Sequence, residues 1–122
     1  MRQNFEEIVK IVEKLRNNCP WDKEQTITTL RKDLESEFNE VMEAFDKVDY
    51  ENLKEELGDL MWCILLISQV AKEEKLFDIN EILENTKKKM IRRHPHVFGN
   101  KKANNAEEAL RMFKQAKEKE KK

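Results

Sequence analysis

Apolar residues recur at three- and four-residue spacing along most of this chain, the pattern of amphipathic helices. Phe5, Ile8, Val9, Val12 and Leu15 predict a first helix over about Asn4 to Arg16, stopped by Asn17, Asn18, Cys19 and Pro20. After a loop through Trp21 and Asp22, residues Ile27, Leu30, Leu34, Val41, Met42 and Phe45 mark the apolar face of a second helix ending near Lys47. Val48 and Asp49 make a short connection to a third helix, expected from about Tyr50 to Glu74, with Leu53, Leu57, Leu60, Met61, Ile64, Ser68 and Ala71 along one stripe. Its second half adds Trp62, Cys63, Leu65, Leu66, Ile67 and Val70 on the remaining faces. A helix that is apolar all round is buried on several sides. In so short a chain, part of that burial is expected to come from another subunit.

Asp78, with Glu81 three residues on, reads as a capping box that opens a fourth helix through Ile79, Ile82, Leu83, Thr86 and Met90. Pro95 disfavours helical geometry at His94 and ends it. Gly99, Asn100, Asn104 and Asn105 mark a loop, and Asn105 with Glu108 repeats the capping pattern for a last helix carrying Ala106, Ala109, Leu110, Phe113 and Ala116 inward. The expected fold is therefore an all-α bundle of four to five helices. It forms one domain over residues 1–122, with a core of about 4–99, a C-terminal helix of about 105–118 and a charged tail, Lys117 to Lys122, that frays.

Composition agrees with that reading. Two Gly and two Pro in 122 residues leave few turns for an all-β fold. Formally 24 Lys and Arg stand against 25 Asp and Glu, so the chain is not a globally basic nucleic-acid binder. The balance is not local, however. From Asp33 to Asp59 there are eleven acids against Lys47 and Lys54, and from Lys87 to Lys102 there are seven bases and no acid. An acidic middle suits cations and a basic segment suits phosphate. The longest apolar run, Leu60 to Ile67, has eight residues, far short of the roughly 20 that span a bilayer. Cys19 and Cys63, far apart and preceded by no secretory signal, are expected to be reduced thiols of a cytoplasmic protein.

Candidate chemistry concentrates in the acidic middle. Glu37 and Glu40 lie three apart on the second helix, Glu56 and Asp59 three apart near the start of the third, and each pair projects from one side of its helix. The short connection makes the two helices antiparallel neighbours, with the pairs at comparable heights, so that all four carboxylates can face one another. Such a group repels itself unless a divalent cation sits between. All-oxygen ligands suit Mg²⁺, or Mn²⁺ in its place, which typically engage substrate phosphates. A solvated acidic face is the plain alternative. Against it, the carboxylates flank apolar stripes, and Gly58 sits inside a helix, where it costs roughly 1 kcal/mol relative to Ala and permits close approach of a backbone or ligand. Glu-x-x-His motifs for a di-iron bundle are lacking, and the isolated cysteines with His94 and His96 make zinc a poor fit. Arg92 and Arg93 close a basic helix end or else bond phosphate oxygens. Trp21 either stacks on a base or plugs a small core.

Three blocks join these pieces. Asn18-Cys19-Pro20-Trp21-Asp22-Lys23-Glu24-Gln25-Thr26, then Glu37-x-x-Glu40 with Glu56-Leu57-Gly58-Asp59-Leu60, then Arg92-Arg93-His94-Pro95-His96-Val97-Phe98-Gly99 resemble, in order, those of MazG-type nucleoside triphosphate pyrophosphohydrolases. The resemblance covers roughly Phe5 to Gly99. It implies the all-α NTP pyrophosphatase fold, a homodimer or dimer of dimers, Mg²⁺ dependence, and cleavage of a nucleoside triphosphate to the monophosphate and pyrophosphate. Family Mg²⁺ ligands carry over onto Glu37, Glu40, Glu56 and Asp59, with Glu37 or Glu40 assisting deprotonation of the attacking water. Lys23, Arg92 and Arg93 then neutralise phosphate, and Trp21 lies against the nucleoside. Ser36 stands where the family usually has another Glu, with Glu35 one place earlier. Two rivals remain open: a relative with a narrow substrate (dUTP, dCTP or phosphoribosyl-ATP), and a non-catalytic dimeric helical module that binds nucleic acid through Lys87 to Lys102.

Overall fold

A computed structural model describes residues 1–121, and among them there are seven helices and no strand. The helices are α1 (Arg2–Asn18), α2 (Pro20–Glu24), α3 (Ile27–Asp46), α4 (Tyr50–Glu73), α5 (Ile79–Arg92), α6 (Pro95–Phe98) and α7 (Ala106–Glu120). The all-α expectation holds, with five long helices as foreseen. Of the two short ones, α2 occupies a segment read as a loop and α6 the stretch after His94, to which the apolar spacing assigns no element. Both α2 and α6 begin with proline at the first helical position, where its fixed φ suits a helix start and its missing N–H costs nothing. The prolines that end α1 and α5 therefore start the next turn.

Chain contacts define two compact units, Met1–Ile79 and Asn80–Lys122. In the first, Val12, Leu30, Leu65, Leu66 and Val70 form a buried cluster, with Phe5, Ile8, Val9, Trp62, Ile67 and Ile79 packed around it. It draws on α1, α3 and α4, and α3 against α4 is the most extensive helix pair of the chain. The second half of α4 buries Cys63, Leu65, Leu66, Ser68, Val70 and Ala71, as its all-round apolar pattern requires. Not every residue read as inward is covered. Met42 and Phe45 on α3, and Leu57 and Met61 on α4, are close to half exposed, and Phe38 joins them.

Antiparallel pairing of α3 and α4 is set by local chemistry at three points. Thr26 and Thr29 cap α3 reciprocally: the Thr26 hydroxyl accepts from Thr29 N at 3.1 Å and the Thr29 hydroxyl accepts from Thr26 N at 2.8 Å. At the other end Val48 N donates to Phe45 O at 3.1 Å and Asp49 N to Ala44 O at 3.2 Å, a Schellman closure. Val48 holds the left-handed position, at φ 52°, where glycine is usual. The Asp49 carboxylate then accepts from Asn52 N at 3.1 Å and opens α4. The same closure ends α4, with Lys75 at φ 60° and Leu76 N donating to Ala71 O at 2.9 Å.

The second unit contains no fully buried residue in α5, α6 or α7. Leu83, Ala106 and Leu110, read as inward, are exposed. Asn105 caps α7 as expected, accepting from Glu108 N at 2.9 Å, but Glu108 closes the return bond one residue earlier, on Asn104 N at 2.8 Å. The tail is ordered into helix as far as Glu120, because that carboxylate is held by Arg92 and Arg93. Lys122, the end of the tail expected to fray, lies outside the described residues.

Candidate metal centre

Residues Glu37 and Glu40 come from α3, Glu56 and Asp59 from the first half of α4, and the turn at Val48 brings the two pairs face to face. One carboxylate oxygen from each lies within 4.8 Å of every other. Glu37 and Glu56 are partly buried while Glu40 and Asp59 are exposed, so the cluster has an inner and an open side. Among the described residues it is the one group of this kind. Among the described residues nothing satisfies two of its inner atoms: Glu37 Oε2 and Glu56 Oε2 are buried and have no hydrogen-bond partner.

Crowding of like charges shows in the protonation of the group. A hydrogen bond to Glu40 is the largest cause that raises the Glu56 carboxyl to about 7, followed by desolvation and the charges of Glu40, Asp59 and Glu37. Burial, then the charges of Glu40 and Asp59, push Glu37 upward as well. Cys63, buried on α4, is raised to about 11 by burial and by the field of Glu37, Asp33 and Asp59. Two carboxylate oxygens without a partner, among four convergent acids, form a donor set that a divalent cation could satisfy. The donor set is all oxygen and open on one side, which fits Mg²⁺ or Mn²⁺ keeping waters for a phosphate ligand.

Other residues singled out in the sequence fall elsewhere. Trp21 and Lys23 lie on α2 and are exposed, Trp21 by 67%. It plugs no core, and its neighbour Asp22 is the buried one. Among the described residues nothing beyond its own helix backbone lies within 4 Å of where a Gly58 side chain would begin, so no other element approaches it closely. Arg92 and Arg93 are engaged with Glu120, and His94 Nδ1 is 2.6 Å from Met90 O.

One residue was missed altogether. The Arg16 guanidinium donates through Nη1 to the carbonyls of Asp22, Lys23 and Gln25, and through Nη2 and Nε to Glu73 at 2.7 and 3.0 Å. It thereby fastens the α2 turn that carries Trp21 and Lys23. Its only sequence signal is a base four residues before Pro20, which helix-end statistics already explain.

The architecture is that of an all-α protein in which one helix pair presents four convergent carboxylates, and comparison with known proteins supplies the family. The MazG nucleotide pyrophosphohydrolase domain matches residues 25–98, and the chain belongs to that family. A nucleoside triphosphate pyrophosphohydrolase of Escherichia coli (strain K12) is 40% identical over 119 residues, covering 95% of this chain and 45% of that protein. A nucleoside triphosphate pyrophosphohydrolase/pyrophosphatase MazG of Thermotoga maritima is 43% identical over 97 residues, covering 78% of this chain and 38% of that one. This chain thus spans less than half the length of these curated relatives. The crystal structure of a mazG-related protein from Thermotoga maritima superposes with a TM-score of 0.80 at 35% identity, covering 93% of this chain and 98% of that chain.

Proposed function

We propose that this chain hydrolyses nucleoside triphosphates to the monophosphate and pyrophosphate with Mg²⁺ held by Glu37, Glu40, Glu56 and Asp59. The observation that carries the reading is the convergence of these four carboxylates with two buried oxygens unsatisfied, in a member of the MazG nucleotide pyrophosphohydrolase family. When bound, the ion supplies charge neutralisation of the phosphate oxygens and lowers the pKa of coordinated water.

The residues themselves do the rest. Glu37 or Glu40 takes the proton of the attacking water, whose oxygen bonds to the α-phosphorus as the bond to the bridging oxygen of pyrophosphate breaks. Lys23, Arg92 and Arg93 neutralise phosphate charge, the arginines after release from Glu120, and Trp21 packs on the nucleoside. Little covalent chemistry is asked of the protein, so positioning and electrostatics carry the rate. A homodimer, or a dimer of two dimers, covers the exposed apolar residues Phe38, Met42 and Phe45, at i, i+4 and i+7 on α3, and Leu57 and Met61, at i and i+4 on α4, since exposed apolar surface on one helix face marks an interaction surface.

The test is release of pyrophosphate from a panel of nucleoside triphosphates, with and without Mg²⁺, by the wild type and by Glu40→Gln. Metal-dependent monophosphate and pyrophosphate from the wild type, and their loss in the variant with helicity unchanged, are expected. Diphosphate and inorganic phosphate as products, or undiminished turnover by Glu40→Gln, contradict the assignment.

A further inference from the structure

Val48 is a β-branched residue held at φ 52°, a backbone conformation that glycine or asparagine adopts at less cost. Its side chain is exposed by 63%, and that of Tyr50, two residues on, by 72%. Charge around this turn is one-sided. The last turn of α3 carries Glu43 and Asp46 and no base, at the negative end of the helix dipole, where acids are disfavoured. A strained, exposed apolar residue beside an acidic helix end does nothing for the fold of its own chain.

A surface of opposite character stands on α6. Val97 and Phe98 are exposed by 64% and 63% on a single helical turn, in which Phe98 N donates to His94 O and Gly99 N to Pro95 O, both at 3.0 Å. Proline fixes the start of that turn. At its end a Cβ on Gly99 would lie 2.8 Å from Pro95 O, so any other residue pushes the turn open. The two apolar side chains therefore sit on a preformed knob, which loses little conformational freedom when it docks. Lys101 and Lys102 follow directly. Among the described residues none of Glu43, Asp46, Lys101 and Lys102 has an ion-pair partner.

We propose that the α6 knob of one copy docks on the α3–α4 turn of a second copy, Val97 and Phe98 against Val48 and Tyr50, with Lys101 and Lys102 facing Glu43 and Asp46. Each surface offers what the other lacks, two apolar residues beside two unpaired acids and two beside two unpaired bases, and such complementarity steers and orients association. The two surfaces differ, so the contact is heterologous: every copy donates one knob and accepts another. It shares no residue with the face assigned above to the homodimer, and so joins one dimer to the next. Neither the metal ligands nor turnover take part in it.

The experiment is sedimentation velocity of the full chain over a range of concentrations, at about 0.1 M and about 1 M salt. Wild type is expected to associate beyond the dimer, less so at high salt. Val48→Gly, which relieves the backbone strain, is expected to weaken that association roughly tenfold while raising the stability of the chain, and Phe98→Ala to weaken it about as much. A folding defect cannot produce the opposite signs of the first variant. Lys101→Glu with Lys102→Glu is expected to abolish the association, and adding Glu43→Lys with Asp46→Lys to restore it. Wild type that stops at the dimer, association of equal strength in Val48→Gly and Phe98→Ala, or no rescue by the second charge reversal overturns the proposal.

Discussion

Glu73 accepts two hydrogen bonds from Arg16, from Nη2 at 2.7 Å and from Nε at 3.0 Å, and this pair ties the end of α1 to the end of α4. The Arg16 side chain is 10% exposed against 41% for Glu73, so the arginine is the buried partner and its loss is the costlier change. Glu73 is held below the usual carboxylate range by that bond, and Arg16 is raised by it. Because Nη1 also serves three carbonyls of the α2 turn, Arg16→Ala leaves several acceptors unpaired and is expected to cost about 2–4 kcal/mol in urea unfolding. Arg16→Lys recovers only a fraction, since one ammonium cannot reproduce the fork. A loss under about 0.5 kcal/mol, the usual range of a surface change, would sink the idea that Arg16 organises this turn.

The acidic cluster gives a pH dependence of definite sign. In the folded, metal-free chain Glu56 titrates at about 7 against an ordinary 4.5. Between those values the folded state keeps a proton that the unfolded state has released, so stability falls as pH rises through the window. Mg²⁺ held by the cluster, as proposed, would reverse this, because it needs the deprotonated form. Thermal melts are expected to show a larger upward shift on adding Mg²⁺ at pH 8 than at pH 5. Equal shifts at both pH values would detach the cluster from metal binding.

Two backbone positions carry avoidable costs. Val48 is β-branched yet sits at φ 52°, so Val48→Gly or Val48→Asn is expected to stabilise the chain by about 1 kcal/mol. Gly58 lies inside α4 with open space where a Cβ would go, and Gly58→Ala is expected to add about 0.5–1 kcal/mol. Chemical denaturation reads both. A destabilised Gly58→Ala would instead reveal a second chain or a ligand pressed against that helix face.

The two free thiols differ in environment. Cys63 is 6% exposed and raised to about 11, whereas Cys19 is partly exposed. At pH 8 a thiol reagent is expected to label one cysteine per chain rapidly and the second only on unfolding, with peptide mapping placing the fast label on Cys19. Prompt labelling of Cys63 would mean that α4 opens readily around the cluster.

Much of this was legible beforehand for a local reason. Helix positions followed from apolar spacing, and the four carboxylates from their three-residue spacing on two neighbouring helices, because both depend on helix period and a short connection. Short α2 and α6 are not legible in the apolar spacing, because a proline that ends one helix reads as a stop although it also starts the next turn. The Thr26–Thr29 cap escaped because a capping box is sought with Glu or Gln at its third position, and the two Schellman turns because Val48 and Lys75 stand where glycine signals them. Met42 and Phe45 follow the inward period yet remain exposed, since periodicity says which face is apolar but not what covers it.

The sequence by itself determined the helical class, the order of the long helices and the acidic set on α3 and α4, all consequences of side-chain spacing along one element. Tertiary structure decided the pairings between distant charges. Nothing in the sequence says that Arg16 belongs to Glu73 and the α2 carbonyls, or that Arg92 and Arg93 share Glu120, 27 residues beyond Arg93. A charge has no periodicity that names its partner, and only the folded path of the chain brings one within hydrogen-bond reach.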